Sequence, residues 1–469
     1  MKRIIITAIC LTLLSGCMAG PKYKKPVVKS PDRFRGSADR AVPPDPASLG
    51  DLKWFEVFKD EKLQELIRTA TVSNYDLREA VARVDAARAN LGITRADQFP
   101  TITAGAEATT LRNSIGGAFP IPGGINLNRT FGGVVLNLLS FELDLWGRLR
   151  RATEAARADL LASEENRKAV LTTLVGDVAT SYFDLLELDT ELEIAKRTLT
   201  TRQESLRLIN LRQQGGVATM LDVRQAEQLV YSAAQTIPDI ERLIEQKENQ
   251  ISLLLARNPG EVTRGRRLTE QEQPPSVPPG LPSSLLERRP DIRAAEQNLI
   301  ASNAIIGVAK AAYFPQISLT GFFGFESNQL SSLFSGPTRT WQFIPQLTQP
   351  LFTGGRLKSN VRLAEAQQQI ALVQYEKSIQ NAFREVSDAL IGYRKVKEIK
   401  TEQELLVTTL QDRARLAYLR YQGGVDTQLN ALDADRDLFN AELSLALTRR
   451  NELFSLVQLY KALGGGWQQ

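Results

Sequence analysis

The 469-residue sequence contains no histidine. That removes the commonest metal ligand and the commonest general base. Its two cysteines, Cys10 and Cys17, both lie near the start, so no disulfide framework can staple the rest of the chain. After residue 17 no run reaches the roughly eighteen apolar residues that a membrane helix needs, so a membrane crossing would have to be made by strands. Cationic runs are absent too. Lys and Arg (58) nearly balance Asp and Glu (53), and both signs are interspersed, which argues against a nucleic-acid partner. Neither a phosphate-binding glycine loop nor a Gly-x-Ser-x-Gly elbow occurs. The reading is a chain that is no enzyme and takes no metal and no cofactor.

What is present begins with Lys2 and Arg3, the apolar stretch Ile4 to Leu14, and then Ser15-Gly16-Cys17. A short basic region, an apolar core and small residues before a cut describe a secretory signal peptide over residues 1–16. The cysteine after Leu-Ser-Gly resembles a bacterial lipobox, which implies S-diacylglycerol and N-acyl groups on Cys17. Three fatty chains on one residue anchor firmly, where one chain binds only marginally. Met18, rather than Asp, at the next position favours the outer membrane. From residue 17 to 50 the chain is proline-rich and expected to be extended. Trp54, Phe55, Phe58, Leu63, Leu66 and Ile67 then suggest a short amphipathic helix.

The remainder is a duplication. Leu211-Arg212-Gln213-Gln214-Gly215-Gly216-Val217 returns as Leu419-Arg420-Tyr421-Gln422-Gly423-Gly424-Val425. Gly355 stands 208 positions after Gly147, and Gly424 stands 208 after Gly216. Upstream, Gly92 to Pro100 matches Gly307 to Pro315 at an offset of 215, so repeat one holds seven extra residues between Pro100 and Gly147. Variable length within a repeat marks a surface loop. The expected division is repeat one over residues 51–280, repeat two over 281–464 and a tail over 465–469, each repeat running helix, strand, strand, helix, helix.

Proline is absent from residues 148–214 and 356–422, and each stretch has a single glycine, Gly176 or Gly392. Continuous helices of that size would be about 100 Å long. Leu171, Leu174, Val178, Tyr182 and Leu185, and likewise Ile379, Phe383, Val386, Leu390 and Tyr393, keep the spacing of a coiled-coil seam. The glycine pairs end these helices; Thr219 and Thr427 are expected to cap the return helices, which bring the helical stretches to about residues 257 and 463. Pro238 is expected to kink the first return helix, and Ser284-Leu285-Leu286-Glu287 to form a capping box.

Two segments change period. Ile317, Leu319, Phe323 and Phe325 alternate with polar residues, as do Trp341, Phe343, Leu347 and Leu351. In repeat one Ile102, Ala104 and Ala106 alternate, then Leu139, Phe141, Leu143 and Leu145. These predict strand hairpins over about residues 100–146 and 315–353, each strand with one apolar face. Four strands cannot cross a membrane alone, because open edges leave backbone groups unpaired in lipid. Two chains would supply eight strands, three twelve and four sixteen; a small soluble sheet on the helices is the other reading.

Cys17, Trp54-Phe55, Leu143-Asp144-Leu145-Trp146-Gly147-Arg148, Arg289-Pro290-Asp291-Ile292, Tyr313-Phe314-Pro315-Gln316-Ile317, Pro350-Leu351-Phe352-Thr353-Gly354-Gly355-Arg356 and Tyr421 to Asp433 resemble the outer membrane factor family. Within it the chain is similar to the lipidated, NodT-type efflux channels related to TolC. The resemblance implies an α+β membrane protein: a homotrimer with a twelve-stranded shared outer-membrane β-barrel, a helical barrel extending into the periplasm and a mixed equatorial domain. It implies a passive duct for small molecules, with a periplasmic adaptor and an inner-membrane efflux pump as partners. A protein-secretion duct and a lipid-anchored periplasmic scaffold without a pore are the alternatives.

Asp426, Leu429, Asp433 and Arg436 follow the second glycine pair at spacings of three, four and three, which would place them on one helix face. Repeat one has Ala218, Leu221, Gln225 and Gln228 there, so the acidic character belongs to one repeat. The resemblance maps these four residues, with Tyr421, onto a periplasmic gate. Carboxylate rings would attract cations, and Leu429 would add an apolar collar. Arg436 is expected to pair with Asp433 or with a neighbouring helix. Arg212, Gly215, Gly216 and Val217, with Arg420, Gly423, Gly424 and Val425, form the two turn tips, which the resemblance makes adaptor-docking contacts.

Overall fold

The computed structural model describes residues 18–36, 48–112, 114, 127–272 and 280–468. The signal segment and Cys17 lie outside the described residues, as does most of the β1–β2 connection. Helices α1 (Glu61–Ser73) and α2 (Tyr75–Ala96) precede strands β1 (Ile102–Arg112) and β2 (Asn128–Leu143). Helices α3 (Arg148–Gln214) and α4 (Met220–Leu254) complete repeat one. Repeat two runs α5 (Pro290–Ala311), β3 (Gln316–Ser327), β4 (Arg339–Thr348), α6 (Arg356–Gln422) and α7 (Gln428–Ala462). The two 67-residue helices end where proline-free sequence meets the glycine pairs. One window of α3 is apolar enough by composition to cross a bilayer, but it is mostly buried in the structure, as core is.

The chain divides into two compact units. The first contains residues up to Pro26, 85–162 and 295–374. At its centre is one antiparallel sheet in the order β1-β2-β3-β4. Its register places Ala104 opposite Leu136, Leu136 opposite Phe323 and Phe323 opposite Trp341. Residues directly opposite share a face, so one face collects these apolar side chains with Leu138, Leu319, Phe343 and Leu347. Several of them are solvent-exposed in the single chain, Trp341 by 70%. The other face carries Thr103, Glu107, Asn137, Ser318, Glu326, Gln342 and Gln346.

The sheet corrects the strand limits expected from sequence. β2 is 16 residues long, begins at Asn128, and ends before Leu145; β4 ends before Leu351. A register shift between Leu138 and Phe141 explains the misreading. The extra residue of a bulge reverses the alternation, so Val134, Leu136 and Leu138 share a face with Phe141 and Leu143. The seven surplus residues of repeat one are therefore not confined to a loop. β2 exceeds the 10-residue β4, while the connection over 113–127 exceeds that over 328–338.

Residues 18–26 of this unit run without helix or strand against α3 and α5. Arg151, 3% exposed, donates to the carbonyls of Ala19 (3.2 Å), Gly20 (3.5 Å) and Pro21 (3.2 Å). Ala19 N–H donates to Trp146 O at 2.9 Å. Trp146 stacks on Phe314 at 4.7 Å and donates to Pro315 O at 2.8 Å, tying one repeat's motif to the other's. A Cβ on Gly20 would lie 2.5 Å from Gly307 Cα, and one on Gly307 would lie 2.8 Å from Ala19 O. Only two glycines allow that approach. Asp144 caps α3 through Leu149 and Arg150 N–H; its repeat-two counterpart, Phe352, cannot cap and is 92% exposed.

The second unit holds residues 27–84, 163–294 and 375–469. Leu171, Leu174, Val178, Tyr182 and Leu185 are buried, as are Ile379, Phe383, Val386 and Leu390; Tyr393 is half-buried. α4 runs on through Pro238 without interruption. The expected capping box at Ser284 is not formed. Ser284 is itself in helical conformation, its hydroxyl donates to Leu281 O, and only one turn (Leu285–Arg288) follows before Pro290 opens α5.

Asp60 organises this unit. Its carboxylate caps α1 through Lys62 and Leu63 N–H, and accepts from Tyr182 Oη (3.0 Å), Arg266 N–H (3.0 Å) and Gln271 Nε2 (2.8 Å). Tyr182 Oη in turn accepts from Gly265 N–H at 2.8 Å. Burial alone would raise the Asp60 pKa, but the bonds from Gln271, Tyr182, Arg266 and Leu63 outweigh it and hold the pKa below the ordinary value. A depressed folded pKa stabilises above the unfolded value of about 3.9, and that contribution is lost as pH falls through the folded pKa. Asp60→Asn is expected to lower stability by about 1–3 kcal/mol at neutral pH. Its melting temperature should also fall less steeply than wild type below about pH 4; parallel acid limbs in calorimetry would count against this role.

Candidate functional site

Both glycine turns have one geometry. Gly216 and Gly424 take φ of +74° and +70°, and a Cβ at either would meet nothing within 4 Å. The left-handed backbone, rather than crowding, requires glycine there. Val217 N–H returns to Arg212 O at 2.9 Å and Val425 N–H to Arg420 O at 3.0 Å. Val217 and Val425 are left exposed.

The charges around the turns differ. Arg212 lies over the Tyr421 ring at 4.7 Å, so the two tips touch through a cation–π contact. Burial raises the Tyr421 pKa, and Arg212 opposes it. Arg420 pairs within its own turn with Asp426 at 3.2 Å. Asp426 also accepts from Asn430 Nδ2 (2.6 Å) and Thr427 N–H (2.8 Å). The Asn430 and Thr427 bonds, then Arg420, hold its carboxyl below the usual range.

α7 starts at Gln428, so Asp426 sits in the turn rather than on the helix. Only Leu429, Asp433 and Arg436 share the helical face expected for four residues. Tyr421 belongs to the end of α6 and faces Arg212. Leu429 is 49% exposed. Arg436 pairs along its own helix, with Asp433 at 3.0 Å and Asp437 at 3.4 Å. Asp437 is held at 2.7 Å by Arg413 of α6, whose bond keeps its carboxyl below the ordinary range.

Sequence reading missed Gln428, Asn430, Arg413 and above all Arg202. Gln428 is buried and donates to Asp222 O at 3.1 Å, tying α7 to α4. Arg202 of α3 meets Asp435 of α7 across a separation of 233 residues, which periodicity cannot reveal. Its one signal is that the duplication places Leu410 at the equivalent position.

The two cap threonines also part company. Thr219 Oγ1 accepts from Asp222 N–H at 3.2 Å, and the Asp222 carboxylate accepts from Thr219 N–H at 2.7 Å. Thr427 has extended backbone but makes no side-chain capping bond. Asp426 serves that turn instead. Thr219→Ala is expected to cost α4 about 1 kcal/mol, raising amide exchange in its first turn about fivefold. Thr427→Ala should leave α7 unchanged, and equal exchange changes at both sites would refute the distinction.

A family model described as "Outer membrane efflux protein" matches residues 66–257 and 281–465. The "Probable efflux pump outer membrane protein TtgC" of Pseudomonas putida is 38% identical over 470 residues, covering 100% of this chain and 96% of that protein. The "Outer membrane protein OprJ" of Pseudomonas aeruginosa is 36% identical over 481 residues, covering 99% and 96%. Among solved structures, the open state of the Neisseria gonorrhoeae MtrE outer membrane channel aligns with a TM-score of 0.86 at 33% identity, covering 96% of this chain and 99% of that one.

Proposed function

The chain belongs to the outer membrane efflux protein family, and from that premise we propose that three copies of its four-stranded sheet close into one twelve-stranded barrel in the outer membrane. It is an outer membrane efflux channel. The observation that carries the barrel is the sheet: an apolar outer face, a polar inner face, and unpaired edges on β1 and β4. A soluble scaffold would have no use for Trp341, Phe343 and Leu347 standing exposed beside one another. Closed transmembrane barrels need at least about eight strands, so one chain is too few; three is the number the family resemblance implies.

In this reading the long helices carry the duct into the periplasm, where the glycine tips meet an adaptor and, through it, an inner-membrane pump that drives transport. The chain supplies passage and no reaction. Small drug-like or toxic compounds are the cargo, in keeping with the antibiotic and toluene efflux named for relatives. The gate lies at the second tip: Asp426 and Asp433 would ring the opening with carboxylate, Leu429 would narrow it, and Arg436 would hold Asp433 in place. Opening is then a population shift driven by partner binding. Lipidation of Cys17 would hold the N-terminal end at the membrane.

In planar bilayers wild type is expected to give small, cation-preferring steps, which grow and lose cation preference in Asp426→Ala/Asp433→Ala. Absence of steps from folded protein would refute the duct; steps of equal size in both would refute the gate at these residues. Separately, Cys17→Ser should abolish incorporation of labelled palmitate into the protein. Label retained in the variant would place the lipid elsewhere.

A further inference from the structure

A cavity of about 490 Å³ in the second unit is lined by residues of α3, α4, α6 and α7. That volume suits a drug-sized compound. Tyr418 and Tyr421 supply rings to its wall, and Leu229, Leu432 and Leu438 supply aliphatic surface. Four charged residues reach it, and each already has an opposite charge beside it. Arg202 pairs with Asp435 at 2.7 Å, Arg415 with Asp412 at 2.6 Å and Glu204 with Arg207 at 2.9 Å. An ionic occupant would give up its water and find no free countercharge. The lining therefore favours an uncharged occupant.

Two residues of this wall carry polar atoms without a partner. Arg202 and Gln428 both line the cavity, and each is only 4% exposed. Arg202 spends Nε on Asp435 Oδ2 and Nη1 on Leu229 O at 3.0 Å, while Nη2 is buried without a hydrogen-bond partner. Gln428 Nε2 donates to Asp222 O, which fixes the orientation of the amide, and Oε1 is left buried and unbonded. A donor and an acceptor thus stand unsatisfied at one mostly apolar cavity, and each costs free energy until something bonds it. Packing asks for neither. The duplication places Leu410 at the position of Arg202 and Met220 at that of Gln428, so the other repeat fills both places with apolar side chains.

We propose that this cavity is a binding site for uncharged aromatic compounds that carry one hydroxyl or amide group. The tyrosines and leucines take the rings. The polar group accepts from Arg202 Nη2 and donates to Gln428 Oε1, two roles that a hydroxyl or an amide fills at once. Selection then comes from the polar pair more than from shape, because a compound lacking the group leaves donor and acceptor unpaired. The site lies within one chain; it goes beyond the duct and gate assigned above and does not rest on them.

Equilibrium dialysis of the full-length protein in detergent tests this, with 1-naphthol as the probe and naphthalene as the same rings without the hydroxyl. Ala414→Trp, which puts a ring into the cavity from its wall, gives the background, and melting temperatures check that each variant is folded. Wild type is expected to take up one 1-naphthol per chain above that background and to bind naphthalene about tenfold more weakly. Arg202→Leu and Gln428→Met, the side chains of the other repeat, should each shrink the ratio of the two affinities about threefold or more, a change that a merely structural role would not produce. Equal uptake by wild type and Ala414→Trp would overturn the site and leave the cavity to water. Equal affinity of wild type for the two probes would overturn the assigned class. Should the variants not fold, saturation by 1-naphthol and the ratio measured on wild type decide.

Discussion

A strand edge inside a bilayer has no water to bond, and that constraint governs the rest of this molecule. The sheet order β1-β2-β3-β4 leaves two edges on every chain. Hydrocarbon tolerates neither. The apolar face can meet lipid only if β4 of one copy finds β1 of another, so a membrane-inserted single chain is excluded by backbone chemistry before any interface is considered.

Duplication supplied two equal halves, and the structure shows how unequally they are used. Repeat one keeps the helix-capping Asp144, the Trp146 stack and the Thr219 capping box. Repeat two has Phe352, Gly354 and an uncapped Thr427 at those positions, and holds the charged turn from Asp433 to Asp437. Capping and stacking contacts concentrate in one copy and the run of paired charges in the other. Where a structural bond is missing, a functional side chain has room to change.

Much of this was legible because it is local. Absence of proline together with a terminal glycine pair located both long helices, since those features act on the residues that carry them. Apolar alternation found three strands and half of the fourth. It failed at the bulge after Leu138, because one inserted residue inverts the face that each later side chain serves. Ser284 matched a capping pattern that its helical backbone could not use. Asp60 and Arg202 were invisible for a different reason: their partners, Tyr182, Gln271 and Asp435, lie 122, 211 and 233 residues away. The turn glycines were read correctly and the carboxylates beside them only partly, Asp426 having been assigned to a helix that starts two residues later.

The back-to-back contact of Gly20 with Gly307 carries a consequence for the order of events. Residue 20 precedes its seat by 287 positions, and that seat is a helix of the second repeat, completed by the Arg151 guanidinium of the first. Contacts so distant along the chain close slowly. The N-terminal end, first to be synthesised, therefore waits through the folding of nearly two thirds of the protein and is among the last parts to find its place.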